Sequence, residues 1–134
     1  MAGNAALGRP WTLVGGSVSR PAEDVSLRVL EIARECAGLL AGAMASDRGP
    51  GGPAEPMPGD VMVLDARGPG HGLPSPEGVA AADQAMRTEG LMVDPVYTAK
   101  ALSLVPRCAD GGDVVFWHTG GLLDTVAAAA GARR

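Results

Sequence analysis

Hydrophobic and polar positions change period several times along the chain, and each change marks an element. Residues 1–7 and 11–18 are apolar stretches that read as a helix end followed by a strand. The strand, WTLVGGSV, holds two adjacent glycines, which call for close backbone packing or a bulge. A helix should follow, because Pro21 suits a first helical position and Glu23 and Asp24 favour its positive end. Val25, Val29, Ile32, Cys36 and Leu40 then recur at helical spacing, which predicts an inward face on a helix ending near Gly42. Residues 46–59, SDRGPGGPAEPMPG, have no period and predict a flexible Pro/Gly surface loop.

Beyond the loop, DVMVLD (60–65) predicts a short strand, and RGPGHGLPSP is rich in turn formers. Ser75 can cap the next helix, with Pro76 at its first position, Gly90 just past its end, and Val79, Ala82 and Met86 on a narrow apolar face. Residues 91–93 read as a buried strand. Tyr97 or Thr98 then opens a helix to about Arg107, with Ala101, Leu102 and Val105 inward. The clearest strand is DVVFW (113–117), and Gly120 begins a last helix, LLDTVAAAA, rich in the best helix former. Strands and helices alternate about four times, which predicts α/β architecture with a mainly parallel sheet. A complete doubly wound sheet needs more chain, so 1–134 reads as one partial domain.

Composition narrows the function classes. A net charge of −4 argues against a nucleic-acid or anionic-membrane surface. No run of eighteen apolar residues indicates a membrane span, and MAGNAALGRPW lacks the form of a secretory signal, so the expected location is the cytoplasm. Cys36 and Cys108 are expected to be buried thiols rather than a disulfide. The most informative count is that Lys100 is the only lysine among 11 basic residues. Chemistry that needs a lysine amine must use that residue or borrow one.

Motifs taken singly leave alternatives open. Thr119-Gly120-Gly121, after a strand and before a helix, can cradle an anion, although spacing alone favours a tight turn. His71 and His118 have no cysteine, histidine or carboxylate at metal spacing, so no metal site is expected. His118 stands where ligands bind in open α/β sheets, yet a satisfied structural histidine fits equally. In Asp94-Pro95-Val96-Tyr97 the proline ends any ladder and sets Tyr97 at the sheet's carboxyl edge, as a site residue or a core filler. No serine has a nucleophile-elbow context.

Taken together, GPGHGLPSPEG (68–78), TEGLMVDPVYTAKAL (88–102) and VVFWHTGG (114–121) resemble, in order and spacing, the D-cysteine desulfhydrase and aminocyclopropane-carboxylate deaminase family. LVGGSVSRPAEDV (13–25) resembles the strand and helix just upstream, so nearly all the chain except the Pro/Gly loop is covered. The resemblance implies an incomplete fold-type II pyridoxal-phosphate enzyme of the tryptophan synthase β-like superfamily, acting on a small amino acid. Tyr97 would stand beside the substrate for proton transfer, a role that needs a site stabilising the phenolate. His71 would contact substrate where the family usually has tyrosine. Thr119 would lie near the pyridine nitrogen, with Gly120 and Thr98 also at the cofactor. The deaminases have glutamate at the Thr98 position and leucine at the Thr119 position. Threonine at both resembles the desulfhydrase pattern, which eliminates sulfide from D-cysteine to leave pyruvate and ammonia.

The family's Schiff-base lysine and its phosphate loop correspond to nothing in these residues, and MAGNAALGRP resembles the helix that follows that loop. Lys100 matches a different lysine, expected to be a surface or structural residue. Without the lysine the cofactor has no covalent attachment. The expectation is therefore a chain inactive alone, or one half of a split enzyme whose partner carries the N-terminal half. A homodimer, or a non-catalytic α/β interaction module, stands beside it.

Overall fold

The computed structural model describes residues 1–44, 54–121 and Val126. Its elements are α1 (Ala2–Ala6), β1 (Val14–Ser17), α2 (Ala22–Met44), a 3-10 turn (Pro58–Asp60), β2 (Met62–Asp65), α3 (Pro76–Glu89), α4 (Thr98–Leu102) and α5 (Val105–Cys108). They fall into two compact units, one built from 1–15 and 21–63 and the other from 16–20 and 64 onward. β1 and β2 form a two-stranded sheet. Met62 N donates to Leu13 O and Ala66 N to Ser17 O, so both partners advance together and the strands are parallel. The chain is therefore mixed α/β, as its pattern indicates, with a smaller sheet among the described residues than four alternations suggest.

In the first unit α1 packs on α2. Asn4 is buried and clamps the chain before β1, donating from Nδ2 to Trp11 O at 2.9 Å and accepting from Trp11 N at Oδ1 at 3.2 Å. α2 starts after Pro21 as expected, carries Glu23 and Asp24 in its first turn, and runs two residues past Gly42. Its inward stripe, however, is Leu30, Ala33 and Ala37, whereas Ile32, Cys36 and Leu40 are exposed and Val25 and Val29 are half-buried. Glu23, Asp24, Arg28, Glu31, Arg34 and Glu35 share one side of α2, and the apolar arc opposite them is broad enough to hold both stripes, so period alone does not select between them. The alanine arc lets another helix approach closely, and that decides it. Cys36 is thus an exposed thiol, Cys108 is half-buried, and both are free.

The second unit is built on small residues. Ser75 caps α3, accepting from Gly78 N, and Gly90 closes it with a φ of 65°. Leu91 N donates to Ala85 O and Gly90 N to Met86 O, the paired bonds of a left-handed helix stop. Both boundaries agree with the sequence reading. The buried edge of α3 does not: it is Gly78, flanked by half-buried Ala81, Ala82 and Ala85, while Val79 and Met86 are each 51% exposed. A Cβ on Gly78 would lie 3.2 Å from Lys100 N and 3.3 Å from Ala99 C, so α3 touches the α4 backbone itself. Gly16 does the same for β1, where a Cβ would meet Leu104 Cδ1 at 3.0 Å and Ala101 Cα at 3.4 Å. The close packing expected at the β1 glycines is found there.

Three further expectations are corrected. The single helix to Arg107 is two, α4 and α5, because Pro106 has no N–H to donate and its ring would press on the carbonyl of Leu102. Its buried residues are Ala99, Lys100 and Leu104, with Ala101, Leu102 and Val105 half-buried. Residues 91–93 and 113–117 are in irregular or extended backbone without ladder partners among the described residues, although Val93 is buried. Val115 and Trp117 are 88% and 84% exposed. A β-prone segment becomes a strand only beside a neighbour, and β1–β2 does not supply one here. Most of the Pro/Gly loop (46–53) and all of LLDTVAAAA except Val126 lie outside the described residues.

Candidate functional site

The second unit brings two motifs together on one buried carboxylate and ties a third to the same short helix. Asp94 ends the extended segment before Pro95, and its side chain turns back on the chain that follows. Oδ1 accepts from Val96 N at 3.1 Å and Tyr97 N at 2.6 Å, and Oδ2 accepts from Thr98 N at 2.7 Å. The Asp94 carbonyl takes the next amide, Ala99 N. A single residue thus satisfies the first orphan donors of α4, and its negative charge sits at the positive end of that helix. Burial opposes ionisation of Asp94, but the hydrogen bonding of Thr98 and of the Tyr97 and Val96 amides together outweighs it. Its pKa lies below the usual carboxylate value.

The HTGG segment is pressed onto this turn. Gly121 has a φ of 101°, and a Cβ there would lie 2.5 Å from Asp94 Oδ2, so only glycine lets the backbone pass. The Thr98 hydroxyl donates to Gly120 O at 3.1 Å. Thr98 and Gly120 are therefore in contact. Thr119 and Gly120 are exposed, and a Cβ on Gly120 would meet nothing within 4 Å.

The GPGHG loop arrives from the other side. Gly68 has a φ of 63°, and a Cβ there would lie 2.6 Å from Ser75 Cβ. Lys100 is wholly buried and its Nζ donates to Arg67 O at 2.7 Å and Gly70 O at 3.1 Å. The sole lysine is thus structural and not at the surface. Arg67 extends outward to Asp65, whose carboxyl falls to about 2 through the Arg67 guanidinium and amide. With the loop so held, the His71 ring stands 6.2 Å from the Tyr97 ring at 59°. Both are exposed, Tyr97 by 42%, so two proton-exchanging side chains from separate motifs face the same solvent.

His118 does not behave as a satisfied structural histidine: it lies edge-on to Phe116, and its buried Nε2 has no hydrogen-bond partner among the described residues. No group of three metal-ligating side chains occurs among those residues. Sequence reasoning brought Tyr97, His71, Thr98, Thr119 and Gly120 forward, and the structure gathers Tyr97 with His71 and Thr98 with Gly120. It missed Asp94, whose signal was an aspartate before proline at a helix start. It also missed the burial of Lys100, signalled by the alanines on either side. A covalent anchor for pyridoxal phosphate does not fit among these residues: the one lysine is enclosed and bonded to two carbonyls.

No family model matches the chain. It is similar to a D-cysteine desulfhydrase of Yersinia enterocolitica, 36% identical over 116 residues, with 81% of this chain and 32% of that protein covered. Proteins of the same name from Yersinia pestis and Salmonella paratyphi C are each 31% identical over 115 residues, again covering 81% of this chain. The chain spans about a third of the length of the curated relatives it matches, 32% and 31% in these last two. The resemblance to D-cysteine desulfhydrases therefore holds across most of this sequence, and the chain is a relative of part of those proteins.

Proposed function

We propose, from this relationship, that the chain forms the substrate side of a pyridoxal-phosphate-dependent lyase resembling D-cysteine desulfhydrase, and that it is inactive alone. The observation that carries the reading is the similarity over 81% of the chain, together with His71 and Tyr97 meeting from two of the matching motifs. The reaction would convert D-cysteine and water to pyruvate, hydrogen sulfide and ammonia. When bound, the cofactor supplies the electron sink that makes the α-proton removable. Tyr97 would hold or move a proton at its phenolic oxygen, and the His71 imidazole would hydrogen-bond substrate across from it. Thr119 would meet the ring end through a neutral hydroxyl, with Gly120 admitting the ring's approach.

The lysine that carries the cofactor would come from outside these 134 residues, because Lys100 Nζ is already bonded to Arg67 O and Gly70 O. Segments 91–93 and 113–117 would then gain neighbours and complete a doubly wound sheet, supplied by a partner chain or by a second copy. The expected setting is the cytoplasm. Among the described residues no helix is long and apolar enough to cross a membrane.

The test compares the chain alone with the chain plus a polypeptide bearing the family's lysine and phosphate loop. Sulfide and pyruvate release from D-cysteine are followed beside aminocyclopropane-carboxylate turnover. The expected result is no turnover and no stoichiometric borohydride-fixed cofactor on the chain alone, and sulfide release in the mixture. Cofactor fixed stoichiometrically on Lys100, or sulfide released by the chain alone, overturns the reading.

A further inference from the structure

Lys100 has no place in the chemistry just described, yet it is the most enclosed cationic side chain among the described residues. Its relative exposure is 0%, and among the described residues it forms no ion pair with a carboxylate. Burying an amine without an opposing charge is unfavourable, and an apolar side chain of similar volume would fill the space at less cost. What an apolar side chain would lose is the pair of bonds to Arg67 O and Gly70 O. Those carbonyls lie on either side of the positive-φ Gly68, and Gly70 immediately precedes His71. Lys100 itself lies three residues beyond Tyr97, in the helix that Tyr97 caps. One turn of helix therefore carries both the tyrosine and the anchor for the loop that presents the histidine.

We propose that Lys100 is a positioning residue: its buried Nζ holds the 67–70 loop so that His71 faces Tyr97. Two carbonyls pointing at one nitrogen fix the loop's distance from α4 and also its direction. A contact through Gly70 sets the backbone of His71 directly. The role of the His71–Tyr97 pair rests on the function proposed above. The anchoring is read on the chain itself without turnover, so failure of the catalytic reading and failure of this one are separable.

The experiment uses the full chain and its single lysine. In Lys100→Met, first shown to be folded by circular dichroism, the ring–ring nuclear Overhauser contact between His71 and Tyr97 should disappear. The Phe116–His118 contact should persist as an internal control, and Lys100→Arg should restore the His71–Tyr97 contact at least in part. A His71–Tyr97 contact unchanged in folded Lys100→Met overturns the proposal, as does loss of both contacts together. Should Lys100→Met not fold, Gly68→Ala displaces the loop from its other side, since its Cβ would strike Ser75. Acylation of Lys100 by an amine-reactive reagent, mapped by mass spectrometry, should then rise about tenfold over the natural chain as the loop opens. A Gly68→Ala chain that has lost the ring contact while Lys100 stays protected also overturns it.

Discussion

Both units carry surface ion pairs, Arg67 with Asp65 and Arg87 with Asp83 in the second, but they differ in how their most buried charges are met. In the first, charges meet each other: Arg9 Nε lies 2.6 Å from Asp60 Oδ1, Arg34 pairs with Glu55, and Arg28 with Glu31. In the second, the two buried charged residues, Asp94 and Lys100, are met instead by backbone, amides for one and carbonyls for the other. A side-chain pair at a surface can separate and return to water with little loss. A buried charge bonded to main chain dictates where that main chain goes. The main chain fixed this way is that of the segments which carry His71 and Tyr97.

Breaking the backbone-held carboxylate should therefore have the largest effect. Asp94→Ala leaves the amides of Val96, Tyr97 and Thr98 without their acceptor and should destabilise the second unit by about 3 kcal/mol. Asp94→Asn keeps one oxygen acceptor and should fall between Ala and the natural residue. Urea titration combined with hydrogen exchange at those three amides measures both, and equal protection in Asp94→Ala would remove the premise. The pH dependence follows from the depressed folded-state pKa of Asp94. Its contribution is fully present above the unfolded carboxylate value of ~4 and is lost as pH falls through the folded value. Asp94→Asn should flatten that part of the acid limb in the second unit.

Next in size is the cap of α3. Ser75→Ala removes the acceptor for Gly78 N, a buried bond of 3.1 Å, and should cost about 1 kcal/mol. Hydrogen exchange should show the loss confined to the first turn of α3.

These effects bear on how much the chain's pattern reveals. Helix ends were legible because caps are local: Ser75, Pro76 and Gly90 act on amides and carbonyls within a few residues. Helix faces were not. Ile32, Cys36 and Leu40 have the same period as Leu30, Ala33 and Ala37, and the choice between them depends on which arc admits a partner. Strands 91–93 and 113–117 failed for the related reason that a ladder needs two members. In the site, Tyr97, His71 and the glycines were visible as motifs, whereas Asp94 and Lys100 act through main-chain groups that leave no complementary residue elsewhere in the sequence. Their partners are carbonyls and amides, which every residue has.

The smallest expected effect sharpens the contrast from the side of the first unit. The Arg9 guanidinium, and after it the Met57 amide, hold the Asp60 carboxyl below its ordinary range, so this pair's contribution is also fully present above the unfolded carboxylate value and is lost as pH falls through the folded one. Arg9→Gln should nevertheless lower the urea midpoint of the first unit by less than Ser75→Ala lowers that of the second. Most of what it loses is an interaction screened by salt, and the difference from the natural chain should shrink between low and high ionic strength. Asp94→Asn should show no comparable salt dependence, because its partners are dipoles packed against it and not a mobile charge. A salt response of the same size in both variants would mean that Asp94 is stabilised by distant charge. The distinction between paired and backbone-held charges would then fail where it matters most, at the turn that presents Tyr97.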